Sequence, residues 1–152
     1  KKTMSLENQI MADLKTAMLA KDERAVLTLR AIKSAIIIEK TSGAGTELSK
    51  ETELKILQKL AKQRKESAEI FIQQNRQDLA DPELKEAAII EKYLPAQLSD
   101  DEIIAVIKPI IDSTGAKTAA DMGKVMGAAT KQLAGKADNK KVSELIKQLL
   151  AG

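Results

Sequence analysis

The segment Tyr93-Leu94-Pro95-Ala96-Gln97-Leu98-Ser99 constrains this chain more than any other. Pro95 lacks a backbone N–H and disfavours helical geometry at Leu94, so a helix arriving from the N-terminal side must stop there. Ser99-Asp100-Asp101-Glu102 then reads as a capping box, with Ser99 as N-cap and Glu102 as the third helical residue. Leu98 and Ile103 are spaced as a hydrophobic staple across that start. A helix stop followed so closely by a doubly specified start predicts a joint between two domains, residues 1–94 and 95–152.

The 152 residues can bury one good core or two small ones. Phe71 and Tyr93 are the only aromatics. A core made from Leu, Ile, Val, Met and Ala favours helices over strands. There is no histidine and no cysteine. These residues therefore assemble no imidazole base, thiolate nucleophile, disulfide or ordinary zinc site, and no cofactor is implied. The missing cysteines, the lack of an apolar run of membrane-spanning length and the absence of a signal-like opening lead us to expect a cytoplasmic protein with no membrane partner. The chain opens on Lys1, and Met4 is a candidate natural start. Net charge is +3, or +1 without Lys1 and Lys2, so the basic balance points only weakly to nucleic acid. The charge is uneven, however. From Gly115 to Gly152 seven lysines stand against three acidic residues, a local net of +4.

Helical periodicity runs the length of the chain, and the fold class read from it is all-α: about four helices, one of them long, then three shorter ones. Ser5 caps a first helix to about Ala20 with Leu6, Ile10, Leu14 and Met18 as its stripe. Asp22 caps a second to about Lys40 with Val26, Leu29, Ile32 and Ile36 inward, and the 3.6-residue period overrides the strand-like run Ile36-Ile37-Ile38. Thr41-Ser42-Gly43-Ala44-Gly45-Thr46 reads as a flexible loop. Ser49 opens the long helix to about Gln74, and Asn75 suits a left-handed end. Asp81-Pro82 reads as an N-cap with proline at the first helical position, starting a helix that reaches Tyr93. Beyond the joint, a helix to about Ser113 contains Pro109 and ends at Gly115. Thr118 with Asp121 starts the next, which ends at Gly135, and Asp138 caps the last.

Several charged groups have plain structural readings. Lys55, Lys59 and Lys62 form a solvated stripe. Arg64 falls near the apolar stripe of the long helix and needs carboxylates, for which Glu86 and Glu91 are candidates. Arg76 and Asp78 are placed to hold a turn. Gly123 and Gly127, four apart inside a helix, favour close packing of another helix over a phosphate contact. The strongest functional signal is electrostatic. Lys140 and Lys141 occupy the first turn of the last helix, where the helix dipole disfavours cations. Lys131 and Lys136 lie just upstream, and Lys124 completes the basic set. An anion docking on the free N–H groups of that turn relieves the conflict; the plain alternative is a solvated basic corner.

The ordered set Lys62-Gln63-Arg64-Lys65-Glu66-Ser67, Arg76-Gln77-Asp78-Leu79, Tyr93-Leu94-Pro95-Ala96-Gln97-Leu98-Ser99, Asp121-Met122-Gly123-Lys124-Val125-Met126 and Gly135-Lys136-Ala137-Asp138 resembles the GatB/YqeY family over essentially the whole chain. The resemblance implies a helical N-terminal domain joined to a small three-helix domain. It also implies kinship with the tail of the B subunit of the glutamine-dependent amidotransferase that converts misacylated Glu-tRNA(Gln) or Asp-tRNA(Asn), a tail that contacts tRNA. In that enzyme kinase and transamidation chemistry lie in a separate domain and the glutaminase in another subunit. The attached label, carbon–nitrogen ligase with glutamine as amido-N-donor, is thus inherited. The chain departs from the family pattern at Asn75, where glycine is frequent, at Lys136 in place of arginine, and at Asn139-Lys140 where a glycine often follows.

The function expected is a non-catalytic tRNA-binding or tRNA-amidotransferase-associated protein, with tRNA or amidotransferase subunits as partners. Two aromatics cannot supply base stacking, so contacts would run through phosphates and RNA shape. The competing expectation is a protein-interaction module docking through an inter-domain groove or the Ile36–Ile38 end. An enzyme in its own right is the third, and no catalytic set is recognisable for it.

Overall fold

The computed structural model describes residues 5–42 and 47–151, and among these there are seven α-helices, one short 3₁₀ turn and no strand. The protein is all-α. Helices α1 (Leu6–Leu19), α2 (Glu23–Ser42), α3 (Lys50–Gln73) and α4 (Gln77–Glu91) precede the joint, and α5 (Asp100–Thr114), α6 (Met122–Gln132) and α7 (Asn139–Ala151) follow it. Contacts divide the chain between Leu94 and Pro95 into two compact units.

Local chemistry sets most helix ends. The hydroxyls of Ser5, Ser49 and Ser99 accept from the N–H groups of Asn8, Thr52 and Glu102, and the Glu102 carboxylate returns to the Ser99 N–H at 2.9 Å. Asp22 Oδ1 accepts from Ala25 N–H at 3.1 Å at the start of α2. Asn75, at φ 59°, reverses the chain after α3: Arg76 N–H donates to the Phe71 carbonyl at 2.8 Å and Asn75 N–H to that of Ile72 at 3.0 Å. That paired closure satisfies carbonyls the helix end would otherwise leave bare. Gly115, at φ 69°, ends α5 with its own N–H and that of Ala116 both donated to the Ile111 carbonyl. Lys21, at φ 56°, turns α1 into α2, a conformation that costs a lysine about 1 kcal/mol.

Proline did not mark the start of α4. The helix begins at Gln77 and carries Pro82 in its second turn, where the missing donor leaves the Asp78 carbonyl without its helical partner. Because Asn75 has already turned the chain, helix can begin at once. Arg76 clamps Asp78 through Nε and Nη2 at 3.0 and 2.9 Å, its carbonyl accepts from Leu79 and Ala80, and Ala80 is fully buried. Asp81 caps nothing; its carboxylate accepts from the Gln77 side chain at 2.7 Å. Thr41 and Ser42 belong to α2 rather than to a loop, while Gly43 to Thr46, like Met4, lie outside the described residues. Thr118 and Asp121 form their box around a 3₁₀ turn, Ala119–Asp121, so α6 proper starts at Met122.

In the first unit Ile10, Ile32, Ile36, Leu57 and Ile90 close a core with Leu94 at its edge; in the second Ile103, Ile107, Val125, Val142 and Ile146 close another with Leu98 packed on it. Met18 does not reach the first core. It is 52% exposed, and Ala17 takes the inward position. Steps of four residues overshoot a helical turn by about 40°, so three such steps from Leu6 carry Met18 about 120° off the buried face.

One charge is buried with the first core. Glu86, 8% exposed, places Oε2 2.9 Å from Arg24 Nη1 on α2 and Oε1 3.5 Å from Arg64 Nε on α3. Glu91, the other carboxylate considered for Arg64, instead meets Lys65 at the surface.

Two outcomes follow from these contacts. Glu86→Ala leaves two guanidinium groups facing an emptied site and should lower the unfolding free energy by about 3 kcal/mol in urea melts; a loss under about 0.5 kcal/mol would mean that water screens the cluster. Ser99 backbone and hydroxyl hold the Glu102 carboxyl below the usual carboxylate range, and the N–H groups of Lys117 and Thr118 do the same for Asp121. Lowered folded values stabilise fully above about pH 4, and that stability disappears as pH falls through them. Thermal melts of Glu102→Gln/Asp121→Asn should accordingly be flatter against pH below about 4 than those of the parent chain.

Candidate nucleic-acid interface

Within the second unit the joint segment grips the turn between α6 and α7. Gln97 Nε2 donates to the Gly135 carbonyl at 2.7 Å and to its neighbour Pro95 at 2.8 Å, and Leu98 N–H donates to the Lys136 carbonyl at 2.9 Å. Gly135 is buried at φ 75°, where a side chain would strain the backbone. Lys136 is thereby held at the crest of the turn with its side chain exposed. The spacing of residues 97 and 135 offered no signal for this clasp, because the bonds run from one side chain and one amide to main-chain carbonyls.

Lys131 lies in the last turn of α6, Lys136 in the turn itself, and Lys140 and Lys141 in the first turn of α7, so four of the five predicted lysines cluster in sequence about one turn; all are exposed. Lys124 stands two helical turns before Lys131, about 10 Å along α6. Lys124, Lys131 and Lys136 have no ion-pair partner among the described residues. Lys141 is engaged: its Nζ lies 3.5 Å from Asp100 Oδ2 in the first turn of α5. The N-terminus of α7 is also less open than its lysines implied, since Asp138 Oδ1 lies 3.4 Å from the Lys140 N–H. A carboxylate already answers the positive end of that helix, which shifts attention to α6.

There the two glycines behave differently from the close packing read from their spacing. Gly123 and Gly127 are exposed, and a methyl group built on either would meet nothing within 4 Å. No neighbouring helix requires them bare. Gly127 follows Lys124 by three positions and precedes Lys131 by four, so the three share one face, with Gly123 beside them. The surface of α6 is thus a strip of exposed backbone between two exposed ammonium groups, with the Asp121 carboxylate near enough to Lys124 to interact through charge. The second unit contains no aromatic residue, since Phe71 and Tyr93 both precede it. Among the described residues no group of three or more acidic side chains is gathered as metal ligands, and no helix is long and apolar enough to cross a membrane.

A family model described as Yqey-like protein matches residues 7–150. The chain belongs to the Yqey-like family. This Yqey-like chain is 38% identical over 132 residues to the "Altered inheritance of mitochondria protein 41, mitochondrial" of Clavispora lusitaniae, covering 85% of the chain and 74% of that relative. The protein of the same name in Meyerozyma guilliermondii is 42% identical over 90 residues, 57% of this chain and 45% of its own length. That of Saccharomyces cerevisiae is 33% identical over 111 residues, 71% and 60%. The cytoplasmic expectation is corrected by these names, which are those of mitochondrial proteins. Cysteine content reports the redox state of a compartment and not its address, so it could not have separated the two.

The open glycines carry a direct consequence. Gly127→Ala should stabilise the fold by about 1 kcal/mol, and Gly123→Ala, in the first turn of α6, by less, because alanine gains helix propensity and meets no obstacle. Thermal melts followed by circular dichroism test this; destabilisation by either would show a neighbour packed against that glycine.

Proposed function

We propose that this Yqey-like chain docks on tRNA through its phosphates and acts by binding, in association with tRNA amidotransferase chemistry, rather than by turnover of its own. One observation supports the reading above the others: the bare backbone of Gly123 and Gly127 lies open beside Lys124 and Lys131 where no packing requires it. Glycines within a helix, Gly127 in the interior of α6 and Gly123 in its first turn, are destabilising by themselves, and exposure removes the usual packing reason for keeping them. A phosphodiester backbone gains from close approach to a helix surface without Cβ atoms, with a cation at each end of the contact. Lys136 and Lys140 extend the positive surface past the clasped turn, while Lys141 is partly neutralised by Asp100.

The lack of aromatics in the second unit supports recognition of backbone and shape over bases. In this reading the carbon–nitrogen ligase label belongs to partner subunits, and glutamine is not a substrate of this chain. Where a compartment enters, it is the mitochondrial one in the relatives' names. The alternative of a protein-interaction module docking through the Ile36–Ile38 end, where Ile37 and Ile38 are exposed and Ile36 is buried, gives the glycines and lysines no joint role.

A mobility-shift titration with total tRNA tests it. Four phosphate-neutralising lysines should make affinity fall on the order of 100-fold between 50 and 200 mM salt. Lys124→Ala/Lys131→Ala should weaken binding by about 10-fold or more and reduce the salt slope by close to two. Gly123→Ala/Gly127→Ala should weaken binding while raising the melting temperature, a combination that loss of folding cannot produce. Salt-insensitive binding, or glycine variants that bind like the parent, would overturn the proposal.

A further inference from the structure

Helices α1 and α2 leave a second feature that RNA docking does not use. Two open hollows of about 490 and 250 Å³ follow the seam between them and share Met18 as a wall. Their apolar lining comes from Met11, Met18 and Leu19 on α1 and from Val26 and Leu27 on α2. Leu19 is 78% exposed and Leu27 56%, values that leave most of both side chains in water. Around this lining stand Lys15, Lys21, Arg30 and Lys33 against one carboxylate, Glu23. None of these five charged groups has an ion-pair partner among the described residues. Asp13, on the same helix, is turned away and accepts from the Tyr93 hydroxyl.

We infer that the α1–α2 seam is a docking groove for an acidic amphipathic helix of a protein partner. The apolar hollows ask for side chains that enter them, and the four unanswered cations ask for carboxylates at the rim. A helix with apolar residues on one face and Glu or Asp beside them supplies both. Methionine walls adapt to such a ligand because the side chain is unbranched and soft. A second copy of this chain fits poorly, since a two-fold contact would set the same four cations against themselves. RNA would leave the apolar hollows unfilled, and a flat lipid surface cannot follow two concavities. This groove is separate from the α6 strip, so either proposal stands or falls without the other.

Fluorescence anisotropy with a labelled synthetic 18-residue peptide, leucine at i, i+3, i+4 and i+7, glutamate flanking that face and alanine and glutamine elsewhere so that it can be helical, tests the inference directly. The full chain should bind it saturably with Kd of about 10 µM or tighter, more weakly as salt rises. Met18→Glu and Arg30→Glu/Lys33→Glu, at surface positions that leave the circular dichroism unchanged, should each weaken binding by about 10-fold or more. A peptide with lysine for glutamate should not bind. Equal binding of a scrambled-order peptide, indifference to both variants, or no saturation by about 500 µM would overturn the inference. So would preferential, Met18-dependent sedimentation with phosphatidylcholine vesicles carrying about one-third anionic lipid, or a Met18-dependent dimer in sedimentation equilibrium.

Discussion

The second unit depends on a short clasp: one glutamine side chain and one amide of the joint segment hold the carbonyls of Gly135 and Lys136. Hydrogen bonds of this kind contribute about 1 kcal/mol each, which is little beside the aliphatic core. Their importance is geometric. They fix the chain's entry into α5 and the path of the α6–α7 turn together, so Leu98 reaches the core while Lys136 stays outside. The capping box at Ser99 then continues from a segment already in place. Two stretches nearly forty residues apart in sequence act as one element.

Charge is treated in opposite ways in the two units. In the first, Glu86 is buried and shared by Arg24 and Arg64, so the one charge taken into the core has defined partners. In the second, the lysines are exposed, and among the described residues Lys141 makes the ion pair, with Asp100. Buried pairs are strict about geometry and contribute little net energy, whereas exposed cations contribute little to the fold and remain available to a ligand. The α1–α2 seam combines an internally satisfied core with an unsatisfied rim.

Much of the helical framework was legible because its signals are local. Ser5, Ser49 and Ser99 cap through hydroxyls a few atoms from the amides they serve, and Asn75 and Gly115 announce their backbone conformation by residue type. Pro82 misled because proline at the first helical position and proline in the second turn share one dipeptide; the difference lies in the Asn75 reversal and the Arg76–Asp78 clamp. Met18 misled because evenly spaced apolar residues drift around a helix. Arg24 could not be assigned to Glu86, since nothing in the order of residues states that α2 packs on α4. For the candidate site, the lysines were visible as composition. The exposure of Gly123 and Gly127 was not, because identical spacing serves a buried crossing and an open surface.

The scarcity of aromatics has an optical consequence. Tyr93 is the chain's lone phenol, half-buried and bonded to the Asp13 carboxylate, with burial first and that carboxylate second in raising its pKa. A phenol donating to a carboxylate emits weakly, and separation of the pair on unfolding brightens it. The molecule therefore carries a single phenol reporter wired to α1 in one unit, while the unit that bears Lys124 and Lys131 has no aromatic side chain. Emission and far-ultraviolet ellipticity will consequently trace different parts of the same chain.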